Sequence, residues 1–423
     1  MKLGFLVLKK SFLKHYAPLI EESLARGIPV TLLVDQTGDE CGFGGYEFPH
    51  VDELPRFRNG APDVRPYATR EELGRIVGSR RLDAVFAVLR RRAVDHLRAE
   101  LPDLFLAQLQ TVPDPIIISH VDTFDAVYGF TPSWVQWSAD YMVHYGRLHD
   151  TERDVYAKRL EAIYVPVGFA EMEQLRYIDP ASVRAGLGVP GSARTVLYLP
   201  FPFKSTRHHG GFWPRHIYGA SRPWQYASAL AARRTEFLPY ARHGWNDRAL
   251  VRALRQFCDR TGALLLVKGR EKNPVPRYLA AVADRVFYDD AYYPATILEL
   301  AAITDLCVHF YSTGLSEVVF AGAPNLCVSP TPAEWPIYGR RRIVKEFSTT
   351  PPAFYHYPGV TYSWTVPETI TRLPSARFED FPLEAAARRK YLERFLGYES
   401  LDVSARILRD LDGRLGRRAC WTR

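Results

Sequence analysis

Cysteine and lysine are scarce in this chain, and each scarcity narrows the field. Cys41, Cys258, Cys307, Cys327 and Cys420 are odd in number and widely spaced. They form neither a CxxC pair nor a disulfide framework, which excludes a small stapled scaffold and fits a reducing cytoplasm. Together with twelve histidines they show no zinc spacing, so no metal is expected. The apolar stretch from Leu3 to Leu8, closed by Lys9 and Lys10, is too short for a signal peptide or a membrane span and reads as a buried first strand. Long basic runs are missing as well. Only ten of the 55 basic residues are lysine and the arginines are interleaved with acids, so the net charge of +8 gives no reason to expect nucleic acid. Either anionic partners, which arginine's planar fork suits, or a genomic bias toward arginine explains the excess.

What is present is an ordinary globular composition on a large scale. At roughly 150 residues per domain, 423 residues suggest two or three domains, and 47% hydrophobic content excludes disorder as the main state.

An apolar run over 3–8, a helical stretch to about 27 and a second apolar run at 28–35 make a βαβ unit. Runs at 82–89, 115–120, 139–144 and 165–168 continue it as short buried strands. Such strands alternating with helical segments predict a parallel sheet covered on both faces. The stretch 171–194, rich in polar residues, glycine and proline, reads as a linker. Strands then restart at 195–200, 263–268, 286–288, 305–309 and 324–328, with helices over 247–261, 275–284 and 294–303 and another starting at Ser312. An aromatic, His- and Arg-rich stretch from 201 to about 245 has no clear period and reads as an insertion or active-site loop. Residues 381–423 carry one or two amphipathic helices. The expectation is an α/β protein with two doubly wound, Rossmann-like domains, 1–170 and 195–380, facing across a cleft, with the tail packing back across it. Ligands of such sheets bind at the carboxyl ends of the strands.

Residues at those ends carry the functional weight. A buried strand ends at Tyr311, and Ser312-Thr313-Gly314 then opens a helix whose free N–H groups suit a phosphate. Glu317, about one turn inside, is either a capping-box partner or a receptor for a ribose or sugar diol. Lys268 and Arg270 follow four apolar residues, where they either compensate a departing diphosphate or end a solvated strand. Lys204, Arg207 and His208 follow the strand at 195–200; they read as phosphate or acceptor contacts, or as plain surface. For a catalytic base the first candidate is His120, at the end of the 115–120 run with Asp122 and Asp125 nearby, and the second is His15, just after the first strand. Each also has a structural reading, His120 as a bonded strand terminus and His15 as a helix-surface histidine.

The segment DLCVHFYSTGLSE (305–317), continued by VVFAGAPNLCV (318–328), resembles the C-terminal nucleotide-binding motif of GT-B glycosyltransferases: strand, small-residue turn, Glu, Gly-x-Pro, strand. Similar motifs occur in UDP-N-acetylglucosamine 2-epimerases, and CDP-glycerol glycerophosphotransferases carry a related Ser-Ser turn. VKGREK (267–272) is similar to the strand-end Lys motif of the glycerophosphotransferases and capsule-polymer transferases, with Gly269-Arg270-Glu271 in place of their usual continuation. Those transferases have a strand-end His comparable to His120, although their following Gly is Val121 here. The likeness is architectural over most of the chain and residue-specific only around 305–328.

The resemblance implies a cytoplasmic, metal-independent transferase. It would move a sugar, or a related polyol phosphate, from a nucleotide-diphosphate donor to a hydroxyl of a glycan, lipid-linked or small-molecule acceptor. The nucleotide-sugar is a co-substrate, so no cofactor is expected. A lipid-linked acceptor would bring peripheral association with a membrane. The alternatives are a non-hydrolysing nucleotide-sugar 2-epimerase, whose Glu pair after the turn is here Ser316-Glu317, and a catalytically silent GT-B module that binds a glycan or partner.

Overall fold

The computed structural model describes residues 1–38, 48–88, 92–109, 141–144, 163–166, 168–200, 246–270, 274–288, 291–310, 312–329, 351–397 and 400–421. The expected strand at 115–120 lies outside them.

Among the described residues the first sheet holds seven strands: β1 (Leu3–Val7), β2 (Val30–Asp35), β3 (Asp63–Tyr67), β4 (Ala84–Ala87), β5 (Phe105–Leu109), β6 (Tyr141–His144) and β7 (Ile163–Pro166). Their spatial order is β3-β2-β1-β4-β5-β6-β7, every pair parallel. Among the described residues the α-helices of this half are α1 (Leu13–Ala25), α2 (Arg70–Arg80) and α3 (Arg92–Glu100), followed beyond β7 by a 3-10 helix over Ala170–Tyr177. Both β1 and β2 are buried at every position, so β1 reads as a continuous apolar run and β2 as one interrupted only by Thr31 before it ends at Asp35. Tyr16 ties α1 across the sheet by donating its hydroxyl proton toward the Leu6 and Phe86 carbonyls at 3.1 and 3.3 Å.

The second sheet follows α4 (Pro180–Gly186) and comprises β8 (Thr195–Leu199), β9 (Leu264–Lys268), β10 (Arg285–Phe287), β11 (Leu306–His309), β12 (Asn325–Ser329) and β13 (Thr361–Thr365). Its order is β10-β9-β8-β11-β12-β13, again all parallel. Among these strands lie α5 (Asp247–Thr261), α6 (Arg277–Ala280), α7 (Thr296–Ala302) and α8 (Leu315–Ala321). The tail adds α9 (Val366–Arg372), α10 (Ala385–Phe395) and α11 (Val403–Trp421). Among the described residues no helix is long and apolar enough to cross a membrane.

Two compact units result. One comprises Met1–Tyr177, Ala291–Ala295 and Leu392–Arg423; the other comprises Ile178–Asp290 and Thr296–Tyr391. In the first unit Val403, Ile407, Leu408 and Leu411 of α11 join the apolar core around β1 and α1. The inserted segment is held there by polar bonds as well. Tyr293 donates its hydroxyl proton to Glu21 Oε1 at 2.6 Å, and Gln174 Oε1 accepts the Ala295 N–H at 2.8 Å. In the second unit Arg388 of α10 donates to the Val319 and Phe320 carbonyls at 2.9 and 2.7 Å, closing the C-terminal end of α8.

The structure corrects the expected elements in several places. The helix expected over 275–284 shrinks to α6, and the one expected from Ser312 opens only at Leu315. Strands β3, β5 and β13 have no counterpart in the sequence reading. The reason is clearest for β3, an edge strand reading DVRPY with mostly half-exposed side chains, whose proline and charges suit an edge and hide the strand.

Candidate functional site

In each sheet the chain order reverses once, between β1 and β4 in the first and between β8 and β11 in the second. Loops leave in opposite directions at such a point, so the carboxyl ends of the two strands open a crevice. In the second unit the reversal point falls between the end of β8 and the turn 312–314 that links β11 to α8.

That turn is bonded into itself. The Ser312 N–H donates to His309 Nδ1 at 3.2 Å, the Gly314 N–H to Ser312 Oγ at 3.1 Å and the Ser316 N–H to the Thr313 carbonyl at 3.0 Å. The expectation of free amides running from Ser312 into a helix is therefore corrected: part of that donor set is already used, and α8 begins three residues later. Gly314 is closely packed: a Cβ there would lie 2.8 Å from Leu199 Cδ1 and 3.2 Å from Ser312 Oγ, so a larger residue obliges the Leu199 side chain to shift. The N-cap of α8 is Gly314, which makes no side-chain cap, so Glu317 forms no capping box. Instead Glu317 is buried, 4% exposed, in the first turn. Burial first, and then the Glu317 and Cys327 side chains, push the Cys307 thiol well up.

Strand register adds the next group. His309 pairs with Leu199 on one side and Cys327 on the other, and Tyr198 pairs with Val267, so Lys268 falls in the same row and on the same face. Two strand spacings put the ends of β9 and β11 roughly 10 Å apart. Lys268 is 8% exposed, a buried cation site at a strand end, whereas Arg270 is exposed. Between them Gly269 donates to the Phe287 carbonyl at 2.8 Å, and a Cβ there would meet Val275 and Tyr288.

The first unit holds a second cluster. His15, in the first turn of α1, directs Nδ1 at Glu171 Oε2, and Lys14 Nζ stands 3.3 Å from Oε1 of the same carboxylate. Gln174 Nε2 fastens the 3-10 helix to the Lys14 carbonyl at 2.7 Å. Burial alone would raise the Glu171 carboxyl, but the charges of His15 and Lys14 outweigh it and hold the group below its ordinary value. In its neutral form, a ring with a carboxylate at Nδ1 keeps its proton there and leaves Nε2 as the accepting nitrogen. His15 is thus a part-buried, oriented histidine, which corrects its reading as plain helix surface.

His120, Tyr311, Lys204, Arg207 and His208 lie outside the described residues. Among the described residues no group of three or more His, Cys, Asp or Glu side chains is arranged to hold a metal ion. Two residues went unremarked in the sequence. Glu171 follows a strand end in the stretch that reads as linker, where two acids beside Met172 and Leu175 are the available signal; His309 sits in an apolar run that reads as strand and nothing more.

No family model matches the sequence, and no curated protein matches it. Solved structures do match by shape. Wall teichoic acid polymerase TagF aligns with 99% of this chain and 90% of its own at TM-score 0.57 and 9% identity. UGT89C1 of Arabidopsis thaliana, complexed with UDP, aligns with 97% of this chain and 99% of its own at 0.56 and 12%. The UDP-GlcNAc 2-epimerase of Methanocaldococcus jannaschii covers the same shares at 0.53 and 11%. At such identities the likeness speaks of fold alone. Two parallel, doubly wound sheets flanked by helices, matched along nearly the whole of these enzymes, give this chain the two-domain α/β architecture of the GT-B fold.

Proposed function

We infer that the protein is a metal-independent transferase that moves a sugar, or a related polyol phosphate, from a nucleotide-activated donor to an acceptor hydroxyl. The observation that carries this reading is the turn 312–314 at the reversal point of the second sheet, with buried Glu317 behind it and Lys268 in the same strand row. In this reading the second unit holds the donor. Ser312, Thr313, Lys268 and Arg270 meet the diphosphate and stabilise it as it leaves, and Glu317 accepts hydrogen bonds from ribose or sugar hydroxyls. The first unit supplies the base: His15, oriented through Nδ1 by Glu171, takes the acceptor proton at Nε2. His120 is the competing base, and Lys204, Arg207 and His208 are additional phosphate or acceptor contacts. UDP in the Arabidopsis structure and CDPG in a soaked TagF structure support a nucleotide-linked donor.

A 2-epimerase is the second reading. Against it stands Ser316, a buried serine whose hydroxyl has no partner among the described residues, at the place where the resemblance to the epimerases calls for a second carboxylate. Incubation with UDP-, GDP-, CDP- and TDP-linked donors and an acceptor panel separates the two. Transfer, or slow donor hydrolysis, is the expected result; an isomerised donor favours the epimerase, and no nucleotide-dependent thermal shift at all defeats both.

A further inference from the structure

His309 closes β11 with its imidazole fully buried, and the roles assigned above do not use it. Its Nδ1 accepts the Ser312 N–H at 3.2 Å, which leaves the ring proton on Nε2, and among the described residues Nε2 meets no partner. Ser312 then accepts the Gly314 N–H through Oγ at 3.1 Å. The two bonds act in series, the imidazole holding the first amide of the turn and the hydroxyl holding the third. The Tyr355 ring, 5.9 Å away between centroids, packs against the imidazole. Burial keeps the imidazole pKa down at about 3, so the Nδ1 lone pair stays available across the working pH range while the ring is too weak a base to take a substrate proton.

We propose that His309 is a positioning residue for the donor site, fixing the turn 312–314 through its Nδ1 bond to Ser312 in the conformation that meets a nucleoside diphosphate. The inference rests on the donor reading and adds to it a residue that acts through Ser312. What the turn needs at position 309 is a neutral acceptor at the δ position. Asparagine supplies one in Oδ1; phenylalanine keeps the ring's bulk and supplies none.

The test compares the full-length wild type with His309→Phe and His309→Asn. Affinities for UDP, GDP, CDP and TDP are measured by calorimetry, and amide hydrogen exchange across 312–316 is followed without nucleotide. His309→Phe is expected to melt close to wild type, yet to exchange these amides faster and to bind the preferred diphosphate on the order of tenfold more weakly. His309→Asn leaves a void and melts earlier, yet keeps affinity within about threefold because the acceptor survives. A purely structural role gives the reverse ranking, with Asn the weaker binder. That ranking, or unchanged exchange in His309→Phe, overturns the inference and leaves the donor reading standing. A wild type that binds none of the four diphosphates overturns the donor reading itself, and the exchange comparison then still decides whether His309 holds the turn.

Discussion

Glu171 keeps its charge although it is only 3% exposed, because His15 and Lys14 stand against its two oxygens. Removing one member of so buried a group leaves the others uncompensated. His15→Ala is expected to lower kcat by about a hundredfold or more, the scale of a lost general base, with little change in donor KM. Glu171→Gln keeps the shape but removes the charge that orients and stabilises the imidazolium, and a loss of about tenfold in kcat is expected. Steady-state kinetics on both variants checks this, and equal activity in His15→Ala shifts the base to His120. The carboxyl's folded pKa is lowered, so its stabilisation is present above the unfolded value and is lost as pH falls through the folded one. Urea midpoints between pH 6 and 3 therefore fall more steeply in wild type than in Glu171→Gln; parallel curves contradict the pairing. For the donor site, Lys268→Met keeps the buried stem and removes the cation. It is expected to weaken diphosphates by about tenfold while leaving nucleoside binding unchanged, a contrast calorimetry resolves. Lys268 at its strand end was legible in the sequence; the Glu171–His15 partnership was not, because the two are 156 positions apart and no periodicity links a helix start to a segment so distant.

Elements carry a different kind of consequence. The N-terminus of α11 is held by Glu173, whose Oε1 accepts the Ser404 N–H at 2.9 Å. Burial pushes the Glu173 carboxyl up to about 7, only partly offset by its bond to Ser404. A raised folded pKa in an acid favours the native state while the group is protonated, so this stabilisation is complete below the unfolded value and fades as pH rises through about 7. Glu173→Gln keeps the acceptor oxygen without the charge. It is expected to stabilise the protein at pH 8 by on the order of 3 kcal/mol and to change little at pH 4; denaturant midpoints that match wild type at both pH values refute it. The α8 turn is constrained by shape instead: Gly314→Val drives its side chain into Leu199 and Ser312, with an expected cost of about 1–3 kcal/mol and loss of nucleotide binding. Partial recovery of melting temperature in the double variant with Leu199→Ala would confirm the clash. Legibility follows the same physics. Strands such as β1, β2, β8 and β11 are buried throughout and announce themselves as apolar runs. β13, written TYSWT with four of its five residues part-exposed, lies at the margin of its sheet and gives no such run. α5 was legible as a helix near 247–261, and in the structure an Asn246 cap and a left-handed Gly262 bracket it.

Across the whole molecule, the arginine excess acquires a third explanation beyond anionic partners and codon bias. Arg184 donates to the Ala193 and Ile303 carbonyls at 2.8 and 3.1 Å, Arg388 closes α8, and Arg255 joins the Asp284 carboxylate at 2.8 Å. Guanidinium groups used in this way bind loop and helix ends to the core, a task lysine's single ammonium performs poorly. Chain connectivity has a consequence of its own. The first unit is not continuous in sequence, since it takes Leu392–Arg423 from the far end of the chain. An amphipathic tail was legible from its spacing, but the surface it covers was not, because an apolar stripe specifies burial and leaves the partner open. Val403, Ile407, Leu408 and Leu411 are each at most 1% exposed, and burying such a side chain contributes about 1.5–3 kcal/mol. Four of them approach the whole stability of an average domain, about 5–15 kcal/mol. Deleting residues 392–423 is therefore expected to unfold the first unit while leaving the sheet β8–β13 intact, since none of its strands lies in the deleted segment. Limited proteolysis followed by mass spectrometry distinguishes the outcomes: rapid cleavage within 1–177 with protection across 246–329 is the expected pattern, and equal resistance of both regions would show that α11 is dispensable.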